Sequence, residues 1–187
     1  DRSRYEHAGN HLGRHVTARM IAPVVTTDRL ILTGHHPDHL DALAALWADP
    51  AVYTMIGGVP RSREEVWLRL LRSIGQWQAF GYGSWVFCAP DGTVLGEGGL
   101  MEARRTIDPP LTLPEANWVL APHAHGRGFA QAAMTAALGW ADARGIARTT
   151  CIIDPANTPS LRLAAKLGYT AVRDATYKDR PIHVLER

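Results

Sequence analysis

The stretch that decides the fold is EANWVLAPHAHGRGFAQAAMTAA, residues 115–137. Its pattern predicts a strand that runs into a glycine-containing loop and then directly into a long helix. The first backbone N–H groups of a helix lack intrahelical partners and carry a partial positive charge, so they attract anions. Gly126 and Gly128 would let a phosphate approach the backbone closely. This stretch therefore predicts a phosphate site at the start of the helix.

The helix after the loop has one continuous apolar face. We expect this face to dock on a sheet and to hold the start of the helix in place. Its members are Phe129, Ala132, Ala133, Ala136, Ala137 and Trp140. The loop lacks the GK[ST] of a nucleoside-triphosphate P-loop, and Gln131 stands where a dinucleotide fingerprint needs a third glycine or alanine. Taken alone, the two glycines predict only a tight turn.

The whole chain alternates between strand and helix patterns. In order, hydrophobic spacing predicts a strand, two helices, three strands, a helix, a strand, a helix and two strands. The second helix should begin at a capping box formed by Ser62 and Glu65. We expect a single mixed α/β domain at residues 20–187, with helices covering its sheet. Residues 1–19 are polar and lack a clear period, which indicates an extension before this domain.

Composition narrows the class of protein. The chain has 187 residues, of which 46% are hydrophobic and 20% charged, values typical of one compact soluble domain. A formal charge of +2 is too small to suggest a nucleic-acid partner. No stretch reaches the roughly 18 apolar residues of a membrane span, and the N-terminus lacks the apolar segment of a signal peptide. Cys88 and Cys151 lie in apolar runs, which favours reduced thiols and a cytoplasmic location.

The run His125-Gly126-Arg127-Gly128-Phe129-Ala130 resembles a known signature, the Gln/Arg-x-x-Gly-x-Gly/Ala of the GCN5-related N-acetyltransferase (GNAT) superfamily. His125 replaces the usual Gln or Arg. Further segments resemble the subfamily that acetylates ribosomal-protein N-termini (RimJ/RimL-type) and many small amines. In chain order these are Thr27–Leu32, Gly83–Trp85, Asn157–Ser160 and Leu167–Tyr169. The resemblance spans about Thr27 to Arg187.

The resemblance implies a fold and a cofactor. The fold is a central, mostly antiparallel sheet of about six to seven strands, splayed in the middle, with helices on both faces. The cofactor is acetyl-CoA, with its pyrophosphate held by backbone amides of the loop. The implied pyrophosphate contacts are His125, Gly126, Arg127, Gly128, Phe129 and Ala130. The pantetheine arm would fill the splay beside Leu120, with Asn157 binding the arm and Ser160 near the sulfur.

Three groups are candidates for catalysis. By resemblance, the backbone N–H of Leu120 would point at the thioester oxygen and stabilise the oxyanion. Glu115, at the start of the same strand, is the candidate general base or water-positioning group. Ser160 is the candidate proton donor to the thiolate, because Ala164 stands where many superfamily members have a tyrosine.

Each side-chain candidate also has a structural explanation. Glu115 could be a solvated carboxylate at a strand end. Asn157 and Ser160 could be only cap and turn residues, since Thr158 before Pro159 predicts a helix N-cap followed by proline at the first helical position. The residues alone leave these alternatives open.

The implied activity is direct transfer of an acetyl group from acetyl-CoA to a primary amine, without a metal or a covalent enzyme intermediate. The acceptor would be a protein N-terminus or a small-molecule amine, and the resembled family often forms homodimers. Two alternatives remain at this level: transfer of another acyl group, and a non-catalytic domain that binds acyl-CoA as a sensor or scaffold.

Overall fold

The computed structural model describes residues 21–187, and its centre is an eight-stranded sheet. Residues 1–19, predicted to be a polar extension, lie outside the described residues. The strands are β1 (Val25–Thr26), β2 (Ile31–Thr33), β3 (Ser84–Cys88), β4 (Val94–Met101), β5 (Glu115–Leu120), β6 (Thr150–Ile153), β7 (Thr170–Tyr177) and β8 (Arg180–Glu186). Their order across the sheet is β1-β2-β3-β4-β5-β6-β8-β7. The sheet thus has one strand more than the predicted upper number, and the two-residue β1 accounts for it.

The sheet is antiparallel except between β5 and β6, where it splays. These two strands run parallel and share a single register pair, Glu115 with Thr150. The Thr150 N–H donates to the Pro114 carbonyl at 2.9 Å. Beyond that point no register pair joins the two strands within the described residues. The mostly antiparallel sheet with an opening in its middle is confirmed.

Within residues 21–187, five α-helices cover both faces of the sheet; helices on both faces were expected, but the pattern predicted four of them, and the short second helix is the additional one. They are α1 (Leu40–Ala48), α2 (Pro50–Tyr53), α3 (Arg63–Phe80), α4 (Phe129–Asp142) and α5 (Thr158–Lys166). Strand alternation separates the two buried clusters. Trp85 and Phe87 of β3 pack in the cluster that contains α4, whereas Val86 packs with α1 and the first half of α3.

Local sequence explains where the helices begin and end. The Ser62 side chain accepts from the Glu65 N–H, and the Glu65 side chain accepts from the Ser62 N–H, which is the predicted capping box of α3. Gly81 ends α3 in the left-handed conformation, at φ 74°. Asp49 caps the short α2, because its side chain accepts from the Ala51 N–H.

The connection from β4 to β5 contains no helix or strand between residues 102 and 114. Ile107 anchors it, because this side chain is buried against Ile182 and Val184 of β8. The irregular segment therefore forms a fixed wall beside the opening in the sheet. In the described part of the chain, no helix has the length and apolarity needed to cross a membrane.

Candidate active site

The loop before α4 leaves the start of that helix open. Gly126 and Gly128 are both left-handed, at φ 70° and 76°, which non-glycine residues rarely adopt. Gly128 is the N-cap of α4, and no side chain of residues 21–187 caps the helix there. The first backbone N–H groups of α4 are therefore free to bind an anion. This geometry agrees with the sequence expectation for the loop.

Two guanidinium groups flank this helix start. The Arg29 Nη2 donates to the Arg127 carbonyl at 2.6 Å. Both guanidinium groups lie over the Phe129 ring, Arg29 at 4.6 Å and Arg127 at 4.9 Å from its centroid. Sequence reasoning placed Arg127 here but missed Arg29, which is 98 positions away in the chain. No local pattern carries that signal, because the contact exists only once β2 packs beside α4.

His125 closes the loop onto the strand before it. Its Nε2 lies 2.8 Å from the Leu120 carbonyl oxygen. A carbonyl oxygen can only accept, so His125 donates from Nε2. The His125 backbone N–H also donates to Pro122, at the end of the short 3-10 turn Pro122–Ala124. His125 therefore joins the end of β5 to the anion-binding loop.

The backbone of β5 presents unpaired groups to the opening. The Ala121 N–H donates to the Leu95 carbonyl of β4 at 2.8 Å. Because alternate N–H groups of a strand point to opposite edges, the N–H groups of Leu120 and Trp118 point toward β6. The splay leaves them without a β6 register partner in the described residues. An extended ligand with amide groups could occupy this edge as an added strand.

Asn157 and Ser160 lie on the opposite side of the opening. Asn157 is the N-cap of α5, and its side chain accepts from the Ser160 N–H at 3.3 Å. The N-cap therefore lies one residue before the predicted cap, and Thr158 is the first residue of the helix. The Ser160 Oγ accepts from the Trp118 Nε1 at 3.3 Å. This contact places the Ser160 hydroxyl directly across the opening from β5.

Glu115 is buried and held by an arginine that the sequence did not indicate. Three hydrogen bonds of 2.8–3.0 Å connect the Arg105 guanidinium to the two Glu115 oxygens. The Glu115 side chain is only 4% exposed. Burial disfavours the charged guanidinium, but its hydrogen bonds and the charge of Glu115 outweigh this and raise the pKa of Arg105. Glu115 is thus not the solvated strand-end carboxylate of the structural alternative.

The structure brings some of the candidate residues together and separates others. Leu120 and Ser160 face the opening, and His125 links Leu120 to the loop. Glu115 borders the same cavity of about 540 Å³ as Asn157 and Ser160. However, five residues separate Glu115 from Leu120 in an extended strand, or about 17 Å at the usual rise. The two predicted catalytic groups on β5 are therefore not adjacent.

Cys151 also borders this cavity, but it is not an activated nucleophile. Cys151 is only 1% exposed. Burial raises the pKa of its thiol to about 12, and the negative charge of Glu115 contributes to this rise. A thiol in that state is protonated at neutral pH. The site therefore offers the open start of α4, called here the anion seat, and the free edge of β5. It does not offer an activated nucleophile for covalent catalysis.

Comparison with known proteins gives this arrangement a context. Residues 29–170 match the family described as acetyltransferase (GNAT) domain. The uncharacterised protein YkkB of Bacillus subtilis (strain 168) is 28% identical over 169 residues, which cover 87% of this chain and 94% of YkkB. A protein assigned to the GNAT acetyltransferase family from Bordetella pertussis has a solved structure with a TM-score of 0.76. It is 31% identical and covers 89% of this chain and 99% of its own.

Ribosomal-protein acetyltransferases share the fold at lower identity. An enzyme from Salmonella typhimurium, described as modifying the N-terminal serine of ribosomal protein L7/L12, is 14% identical, with a TM-score of 0.71. The match covers 88% of this chain and 98% of that enzyme. At this identity the likeness concerns the fold alone.

Proposed function

The chain belongs to the GNAT acetyltransferase family, and on that basis we propose that it transfers the acetyl group of acetyl-CoA to a primary amine. The acceptor is a protein N-terminus or a small-molecule amine, and transfer is direct, without a covalent enzyme intermediate. One observation carries the proposal: the opening between β5 and β6 lies beside the uncapped start of α4. The start of α4 suits the diphosphate of a long cofactor. The free edge of β5 suits an arm that carries amide groups.

The loop residues fit the diphosphate of coenzyme A. The left-handed glycines place no side chain at the helix start, and a Cβ added to Gly126 would meet nothing within 4 Å. The backbone groups of His125, Gly126, Arg127, Gly128, Phe129 and Ala130 form the proposed seat. Arg29 and Arg127 add charge-assisted hydrogen bonds to it. A solved RimL structure of the same fold is a complex with coenzyme A, which supports this assignment.

The strand edge fits the pantetheine arm. When bound, acetyl-CoA supplies an activated acetyl thioester. The Leu120 N–H donates to the developing oxyanion, a kind of contact whose loss typically costs about 3 kcal/mol of transition-state stabilisation. Asn157 binds the arm from the α5 side. Ser160 donates a proton to the departing thiolate, directly or through water.

Glu115 positions one end of a chain of waters that carries the proton away from the acceptor ammonium. An ionised carboxylate can accept about four hydrogen bonds, and Arg105 donates three of them. The remaining position suits one water. A relay is required, because Glu115 is about 17 Å along the strand from Leu120. Of the two roles predicted for Glu115 from the sequence, general base or water-positioning group, we propose the second.

The decisive experiment measures free thiol release from acetyl-CoA in the presence of a panel of primary amines. Acetyl transfer predicts thiol release that depends on one or more amines, together with an acetylated product detected by mass spectrometry. The same assay with longer acyl-CoA thioesters tests the acyl-group alternative. Coenzyme A binding measured by calorimetry, without turnover on any amine, would contradict the proposal and support a sensor or scaffold.

A further inference from the structure

The cavity beside the opening has an excess of basic side chains. Its six cationic lining residues are Arg61, Arg69, Arg72, Arg105, Lys178 and Arg180, against three acidic ones. Two of the acids already have partners, since Glu115 binds Arg105 and Asp154 binds Arg180 at 2.8 Å. The third, Glu65, is used in the capping box of α3. The cations on the α3 side are thus not neutralised by the acids that line the cavity.

Arg69 is the clearest of these unpaired cations. Its Nε is buried and has no hydrogen-bond partner among residues 21–187, and no described carboxylate forms an ion pair with it. Burial lowers the pKa of Arg69 to about 10; the nearby charge of Glu97 acts in the opposite direction, and the charges of Arg72 and Arg61 add to the lowering. The guanidinium therefore remains charged at neutral pH while partly removed from water. A charge in that position is costly unless an anion accompanies it.

A buried network holds Arg69 in place from below. The guanidinium lies 4.3 Å from the centroid of the Trp47 ring. The Trp47 Nε1 donates to one Glu97 oxygen at 2.8 Å, and the other Glu97 oxygen lies 2.6 Å from the His35 Nε2. Glu97 is thus engaged by His35 and Trp47 and is not the ion-pair partner of Arg69. The network fixes the ring on which Arg69 lies and leaves the guanidinium donors available to the cavity.

Arg61 provides a second guanidinium group near Arg69, with further hydrogen-bond donors. It precedes α3, borders the same cavity and also has a buried Nε without a partner in the described part of the chain. Its position is fixed by the main chain, because the Arg61 N–H donates to the Trp47 carbonyl at 3.1 Å. Two guanidinium groups with open donors at one cavity wall match the planar oxygens of a carboxylate.

We propose that the acceptor amine carries a carboxylate, which Arg69 and Arg61 bind. This inference rests on the proposed acetyl transfer and specifies its substrate class. The pantetheine arm takes up part of the cavity of about 540 Å³, so the space left on the α3 side suits a small acceptor, an amino acid or a similar amino carboxylate. Polyamines and other polycationic amines are disfavoured, because the cationic wall repels them.

The test compares matched acceptors that differ only at the carboxylate. Each free amino acid of a panel is assayed beside its carboxamide, and spermidine represents the polycationic amines. A dipeptide with an acidic second residue, beside its amide analogue, tests whether a side-chain carboxylate can take the same place. The variants are Arg69→Gln and Arg61→Gln. The control is Arg63→Gln on the same helix, since Arg63 is exposed and pairs with Asp41 at the surface.

We expect kcat/KM for at least one amino acid to exceed that for its carboxamide at least tenfold. Arg69→Gln should raise KM for that acid at least tenfold and leave KM for acetyl-CoA unchanged, and Arg63→Gln should change neither. Arg61→Gln gives an independent result if Arg69→Gln does not fold.

Other outcomes separate the two proposals. Equal use of acids and carboxamides, or preference for spermidine, contradicts the carboxylate inference but leaves acetyl transfer intact. Acetylation of other amines, with no calorimetrically detectable binding of any acid at 10-fold molar excess over protein, also contradicts only the carboxylate inference. Coenzyme A binding without acetylation of any amine contradicts acetyl transfer. Failure to bind coenzyme A contradicts the proposed function itself.

Discussion

The start of α4 and the α3 side of the cavity differ in the source of their positive charge. At α4 it comes mainly from backbone N–H groups, exposed by left-handed Gly126 and Gly128. On the α3 side it comes from side chains, chiefly Arg69 and Arg61 above a buried Trp47. The backbone seat suits a diphosphate shared by a whole family. The cationic wall formed by Arg69 and Arg61, called here the side-chain wall, can be altered by single substitutions. It is therefore suited to determine which acceptor binds.

The largest expected effect comes from placing a carboxylate in the backbone seat. Gly128→Glu should weaken coenzyme A binding about 1,000-fold, since repulsion of about 4 kcal/mol is expected between unit charges about 4 Å apart near a protein surface. Calorimetric titration of the variant measures this effect. Gly145→Glu is the control for the cost of a side chain at a left-handed position, because Gly145 is also left-handed and exposed but follows the C-terminal end of α4. The two sites differ in that a Cβ at Gly128 would lie 3.0 Å from the flexible end of Arg29, whereas a Cβ at Gly145 would meet nothing within 4 Å. If coenzyme A binding is weakened equally in both variants, the diphosphate does not bind at the start of α4.

The second effect concerns the support of the side-chain wall. Burial opposes ionisation of Glu97, but the hydrogen bond and charge of His35, with Arg69 and Trp47, outweigh it and lower its pKa to about 2. A lowered folded-state pKa stabilises the protein above the unfolded value near 4.5, and this contribution is lost as pH falls from there toward 2. The loss should reach about 3 kcal/mol.

Glu97→Gln should therefore lower the free energy of unfolding at pH 7 and flatten its decrease between pH 4.5 and 2. Urea unfolding at several pH values measures both. Glu64→Gln, at the exposed start of α3, is the control. A pH profile of Glu97→Gln that parallels the parent protein would show that the buried carboxylate does not hold the wall.

The third effect tests Glu115, which lies between the two regions. Glu115→Gln keeps the shape of the side chain and removes its charge and basicity, so kcat should fall about 100-fold, the lower end for loss of acid–base assistance. The rate with saturating acetyl-CoA and acceptor measures this change. Glu186→Gln is the control, since Glu186 pairs with Arg148 away from the cavity. A rate within twofold of the parent would leave Glu115 with only a structural role.

The smallest effect is expected at the rim of the backbone seat. Arg29→Gln removes one exposed cation while the helix amides remain, so KM for acetyl-CoA should rise only about threefold to tenfold. Raising the salt concentration should reduce the difference, because exposed charges are screened. A loss as large as that in Gly128→Glu would mean that side chains, not the backbone, provide the seat.

Local patterns were enough to predict much of the fold. The strand, loop and helix of residues 115–137 and the capping box at Ser62 depend on neighbouring residues, and both were correct. The errors were also local and small. Strand β1 is only two residues long and exists through its pairing with β2, and α5 is capped by Asn157 instead of Thr158. The splay followed only from family resemblance, because no periodicity encodes where two strands separate.

The site divides in the same way. The glycine loop was predicted from the local pattern together with the family resemblance, and His125 from the resemblance alone; both lie in one continuous segment. Arg29 and the unpaired Arg69 could not be predicted, because their significance depends on contacts made across the fold. The Arg105 partner of Glu115 is near in sequence but lies in an irregular segment without a period to orient it.

Amide hydrogen exchange with and without coenzyme A tests the central claim most directly. The account predicts that the cofactor protects the amides of Gly128, Phe129 and Ala130 at the start of α4, together with those of Trp118 and Leu120 on β5. Amides at the opposite end of α4 should change little. Coenzyme A binding that leaves the start of α4 unprotected, with protection elsewhere in the protein, would contradict the account.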